Sequence, residues 1–89
     1  MRKVLKKMKK FRSVEEYNEY LEKNYEYGLS EFGIRDLEDY IEEYGKEYVI
    51  YNVVEEFDVD DNVIKFGDKC FWICERYEGI RLVEVEEVK

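Results

Sequence analysis

The sequence predicts an α+β fold in which two or three N-terminal helices pack on one face of a three- to four-stranded antiparallel β-meander. Up to Gly45 the apolar residues recur at helical spacing. From Glu47 onward they fall in runs rich in β-branched and aromatic residues. Short turns built from Asp, Asn and Gly separate those runs, and connections this short imply antiparallel neighbours.

The elements follow in order. Val4, Leu5, Met8 and Phe11 stand at helical spacing, so residues 1–12 read as a basic N-terminal helix or arm. Ser13 reads as an N-cap and Glu16, three residues on, completes a capping box. The helix it opens should run from Val14 to about Asn24, burying Val14, Tyr17 and Leu21 with Tyr20 at the edge. Ser30 caps the next helix, with Leu29 and Ile34 placed for a hydrophobic staple. That helix should bury Ile34, Leu37, Ile41 and Tyr44 and stop at Gly45, which tolerates a positive φ. Tyr48 to Phe57 reads as the first strand, Asp60-Asp61-Asn62 as a turn, and Asn62 to Phe66 as the returning strand. Gly67-Asp68 turns the chain into Lys69 to Arg76, and Glu78-Gly79 into Ile80 to Val88. Residues 13–45 thus form an acidic helical part and 46–89 the sheet of a single 89-residue domain.

In two of these strands both faces are apolar. Cys70, Trp72 and Cys74 alternate with Phe71 and Ile73, and Val49, Tyr51 and Val53 alternate with Tyr48, Ile50 and Val54. Helices on one face leave the other to be covered by the N-terminal helix or by a second molecule. The face of Cys70, Trp72 and Cys74 is therefore the candidate homodimer face.

Charge is distributed unevenly. The formal net charge is −8, yet residues 1–12 carry seven basic side chains, Arg2, Lys3, Lys6, Lys7, Lys9, Lys10 and Arg12, and no acid. The remainder is strongly acidic, a body that basic protein surfaces attract and nucleic acid repels. The chain has no Ala, Pro, Thr, Gln or His. Codons for those five have C in the first or second position, and with abundant Glu, Lys, Val, Ile and Tyr the composition resembles that of a hyperthermophile, or of a virus or plasmid replicating in one. No apolar run is long enough to span a bilayer and the basic N-terminus lacks an apolar signal core, so an intracellular, cytoplasmic protein is expected.

The chemistry-bearing motifs fail on inspection. Cys70 and Cys74 are four residues apart, roughly 13 Å along a strand, beyond disulfide reach and with no His to complete a zinc site. Asp58, Asp60 and Asn62 imitate the start of a calcium loop, but Val63 stands where Gly is required and Lys69 where a bidentate Glu is required. Without His there is no Ser-His or Cys-His pair, and the two serines are already helix caps. No catalytic residue, cofactor or metal is expected.

The expectation for function is a non-enzymatic interaction module presenting an acidic, tyrosine-rich surface to a basic host protein, in the manner of a nucleic-acid mimic or inhibitor. Its contact residues would be Glu19, Tyr20, Glu22, Tyr40, Glu42 and Glu43. The alternative is a nucleic-acid-binding or regulatory protein that grips phosphates through Arg2, Lys3, Lys6, Lys7, Lys9, Lys10 and Arg12.

Overall fold

A computed structural model describes residues 7–54, 60–76 and 78–86. The order of elements is β1 (Lys7–Phe11), α1 (Val14–Tyr25), α2 (Glu31–Tyr44), β2 (Tyr48–Val54), β3 (Asp60–Phe66), β4 (Lys69–Arg76) and β5 (Gly79–Val85). The strands form one five-stranded antiparallel sheet in sequential order, β1 to β5, with the helical hairpin inserted between β1 and β2. The architecture is α+β, as the sequence predicts, with one strand more than expected.

That extra strand corrects the reading of the N-terminus. Lys7 to Phe11 pairs with Val54 to Ile50 and is the edge of the sheet, not a helix. The spacing of Val4, Leu5, Met8 and Phe11 suits one face of a helix, but a helix that short has little stability of its own. Strand pairing satisfies its backbone from β2, and lysines are common on exposed edges because they discourage further pairing. Val4 and Leu5 lie outside the described residues. A second correction concerns Asp60-Asp61-Asn62, which belong to β3 opposite Val54, Val53 and Asn52 and make no turn. The first strand ends at Val54 and the last at Val85. The predicted extensions to Phe57 and Val88 fall outside the described residues, as does Asp58.

Both helices begin where their caps predict. Ser13 Oγ accepts from the Glu16 amide at 3.1 Å, and the Glu16 carboxylate accepts from the Arg12 amide at 3.1 Å. This is a capping box whose return bond reaches one residue further out than usual. Ser30 Oγ accepts from the Gly33 amide at 3.0 Å, and the Asn18 side chain holds the α1–α2 connection by accepting from the Leu29 amide at 2.6 Å. Val14, Tyr17 and Leu21 are buried from α1 and Leu37 from α2.

The core lies between the helices and one face of the sheet. Phe11, Ile50, Ile64, Phe66, Phe71, Ile73 and Ile80 contribute from the strands. Phe11 meets Tyr17 and Tyr20, while Tyr44 lies 5.1 Å from the rings of both Phe66 and Phe71. Helix α2 is also fastened to β5, where Asp36 Oδ2 accepts from the Ile80 amide at 2.9 Å. Gly79 makes this approach possible: its φ is +127°, and a Cβ there would collide with the Asp36 carboxylate.

Candidate functional site

Because side chains alternate across a strand, the residues between the core positions point to the other face of the sheet. Register then assembles them into a row. Lys10, Tyr51, Val63, Trp72 and Val83 stand side by side across all five strands. A flanking row runs through Val49, Lys65, Cys70 and Val85. No described helix lies over this face: Trp72 is 40% exposed, Val83 39% and Val85 37%, while Val53 and Cys70 on the same face are buried. No described helix thus lies over the face that holds the candidate dimer residues Cys70, Trp72 and Cys74, and the described part of the N-terminal segment expected to shield it, Lys7 to Phe11, lies at its edge as a strand instead.

The two cysteines differ in depth. Cys70 is buried and Cys74 half-buried, and neither forms a disulfide. Among the described residues no cluster of His, Cys, Asp or Glu is arranged to hold a metal ion, and no helix is long and apolar enough to cross a membrane.

The rim of the uncovered face is basic on balance. Lys10, Lys65, Arg76 and Arg81 share it with two described acids, Glu47 and Asp61. A shallow depression of about 440 Å³ opens at the end near the β3–β4 turn, between Lys46, Val49, Tyr51 and Lys65. The helix layer on the far side of the sheet carries the opposite charge. Its ten acids, Glu15, Glu16, Glu19, Glu22, Glu31, Asp36, Glu38, Asp39, Glu42 and Glu43, stand against two bases, Lys23 and Arg35. Among the described residues the two sides therefore differ in charge.

On the acidic side the predicted contact residues divide. Glu19, Glu22, Glu42 and Glu43 are exposed. Tyr20 and Tyr40 are half-buried and pack on the core, Tyr20 against Phe11 and Tyr40 against Tyr44. The aromatic rings that stand out most are Tyr27, 79% exposed, in the α1–α2 connection, and Phe32, 65% exposed, in the first turn of α2. Sequence reading passed over both, although Phe32 lies off the apolar stripe of its helix and Tyr27 lies in a connection.

The basic N-terminal residues also divide. Arg2, Lys3 and Lys6 lie outside the described residues. Lys10 and Arg12 are exposed. Lys9 turns to the helix side, where its Nζ sits 4.7 Å from the Tyr20 ring centre and 5.6 Å from that of Phe11. Such cation–π contacts stabilise by about 0.5–1 kcal/mol at exposed positions.

One polar network went unread in the sequence. Asn52 is 1% exposed within the core, where its Oδ1 accepts from the Tyr20 hydroxyl at 3.0 Å and its Nδ2 donates to Asn62 Oδ1 at 3.1 Å. The signal was present: Asn52 continues the inward series Tyr48, Ile50 with a polar side chain, and a polar residue at an inward position needs partners. Nearby, burial pushes the Tyr17 phenol well above its ordinary value, with the Glu75 carboxylate and Tyr20 adding to the shift. These groups join α1 to β2 and β3 and serve the packing of the fold. Comparison with protein-family models, with curated proteins and with solved structures finds no match to this chain.

Proposed function

We propose that this protein is a non-enzymatic interaction module that binds a macromolecule through the uncovered face of its sheet. The carrying observation is the continuous row Tyr51, Val63, Trp72 and Val83, apolar side chains placed together on a face that the described helices leave bare. Contiguous exposed apolar surface edged by charge is the usual mark of an interaction site. Aromatic residues near the centre of such a patch supply most of the binding energy. A second copy of the chain is one candidate occupant, which keeps the homodimer in view.

The test compares two variants in affinity capture from cell lysate. Replacing Trp72 and Val83 by Ala should abolish retention of the parent's partners while far-ultraviolet circular dichroism stays unchanged. Partners retained undiminished by this variant would refute the reading.

A second reading rests on the excess of carboxylates in the helix layer, which suits a basic protein partner steered by charge. Changing Glu19, Glu22, Glu42 and Glu43 to Lys should then slow association and weaken its dependence on salt. If the partners are lost only from this variant, the acidic side is the working surface and the sheet face is not.

A further inference from the structure

We infer that the uncovered sheet face is a platform for single-stranded nucleic acid, an inference that rests on the reading of that face as the binding surface. Two kinds of side chain are needed to hold a single strand without reading its sequence: flat rings on which bases stack, and cations that follow the phosphates. Both are on this face. Tyr51 and Trp72 stand in one cross-strand row with β3 between them, roughly 10 Å apart at the ordinary strand spacing. That separation suits bases pulled out of their mutual stack, with Val63 as apolar floor between the two rings. Lys10 closes the row at the β1 edge, and Arg76 and Arg81 lie toward the β5 edge; all three are exposed. A backbone crossing the strands along the row starts at Lys10 and ends at Val83, with Arg81 in the adjoining row and Arg76 one row further.

The distribution of charge over the described residues selects the face. Ten carboxylates on the helix layer repel a polyanion from that side, so approach is restricted to the sheet. The same cations argue against the competing occupants. A second copy stacked face to face would bring like-charged rims together, and a duplex keeps its bases stacked inside, where rings on a flat sheet do not reach them. This site also differs from a flexible basic arm, because Lys9 and Lys10 are neighbours in sequence but face opposite sides of the sheet.

The chain carries a single tryptophan, so its own fluorescence reports on the site. Titrating the full-length protein with twelve-nucleotide oligo-dT and oligo-rU at low salt should quench Trp72 emission to saturation. The logarithm of affinity should fall with the logarithm of salt at a slope of about −2 to −3, as expected for three or four neutralised phosphates. By anisotropy of labelled oligonucleotide, Tyr51→Ala and Trp72→Ala should each weaken binding about tenfold or more, Trp72→Phe should retain most of it, and Lys10→Glu should weaken it where Lys9→Glu does not. Three results overturn the inference: no binding of single strands, a duplex of equal length bound as tightly without quenching, or equal loss from Lys9→Glu and Lys10→Glu. Light scattering on the same samples separates this failure from failure of the underlying reading. A dimer that Trp72→Ala dissolves, formed by a chain that ignores oligonucleotides, overturns the nucleic-acid inference and leaves the sheet face as the interface. Absence of both, with captured partners unchanged in the Trp72 and Val83 double variant, overturns both.

Discussion

The two faces of one sheet follow different rules, although the same strands build both. On the helix side Phe11, Ile50, Ile64 and Phe71 are buried under α1 and α2, and even the polar Asn52 has partners for its amide. On the other side Tyr51, Val63, Trp72 and Val83 are as apolar by composition, yet remain half-buried or exposed. Hydrophobicity alone therefore does not say which side is core. What separates them is the helical hairpin between β1 and β2, which can lie on one face only and brings its carboxylates with it.

The sharpest way to break this comparison uses adjacent residues of β4. Phe71→Ala removes a buried ring and should cost about 3–5 kcal/mol, whereas Trp72→Ala, at a site already 40% exposed, should cost about 1–2 kcal/mol. In a domain of this size each kcal/mol moves the melting temperature by roughly 4–8 °C, so calorimetry resolves the two easily. Equal losses would mean that Trp72 is covered in solution, by a second copy or another segment.

Neighbours in β2 give the next test. Asn52→Ala leaves the Tyr20 hydroxyl and the Asn62 amide without their shared partner and should cost about 2–3 kcal/mol, while Tyr51→Ala on the open face should cost about half as much. Urea denaturation measures both, and an Asn52 variant as stable as the parent would show that the network is not closed to water.

The helix side also depends on how closely α2 approaches β5. Gly79→Ala places a methyl group against the Asp36 carboxylate at a φ that only glycine tolerates well, and should cost about 1–3 kcal/mol. Asp36→Ala loses the bond from the Ile80 amide, about 1–2 kcal/mol. The double variant should be more stable than the sum of the two losses predicts, because removing Asp36 also removes the collision. Strict additivity would place the strain elsewhere.

The smallest effect is one of pH. Tyr17 keeps its phenol neutral in the fold, with its pKa raised by burial first and by Glu75 and Tyr20 after that. An unfolded tyrosine ionises near pH 10 and the folded one above it, so the contribution of Tyr17 to stability is complete below about pH 10 and is lost as pH rises beyond that. Tyr17→Phe should therefore flatten the alkaline side of the stability profile while leaving the neutral region within about 1 kcal/mol of the parent. An alkaline limb unchanged by the substitution would mean that other tyrosines set it.

The sequence was most informative where structure is local. Ser13 with Glu16, and Ser30 with Gly45, bracket α1 and α2 because caps act within a single turn and need nothing distant. Gly67-Asp68 joins β3 to β4 as a two-residue turn with Gly67 at φ +63°, for the same reason. The apolar character of both sheet faces was legible as well, since alternation with period two shows in the residue order. The candidate site was legible only in fragments: Trp72 was singled out, but the row that joins it to Tyr51 and Lys10 depends on register between strands distant in sequence.

Tertiary structure decided the rest. Lys7 to Phe11 has a pattern compatible with helix, and only the vacant edge of β2, some forty residues later, makes it a strand. The same pairing sends Lys9 toward Tyr20 and Lys10 toward the bare face, dividing a basic run that looks uniform in sequence. Asp60 to Asn62 has turn composition but lies opposite β2, where ladder hydrogen bonds outweigh a weak local preference. The position of the helices, over one face and not the other, is likewise a property of the assembled sheet. Local propensities differ by about a kcal/mol or less per residue, whereas burying a full apolar face sums the contributions of many side chains. That collective burial outweighed the local preferences, and it chose which face became core and which was left without helix cover.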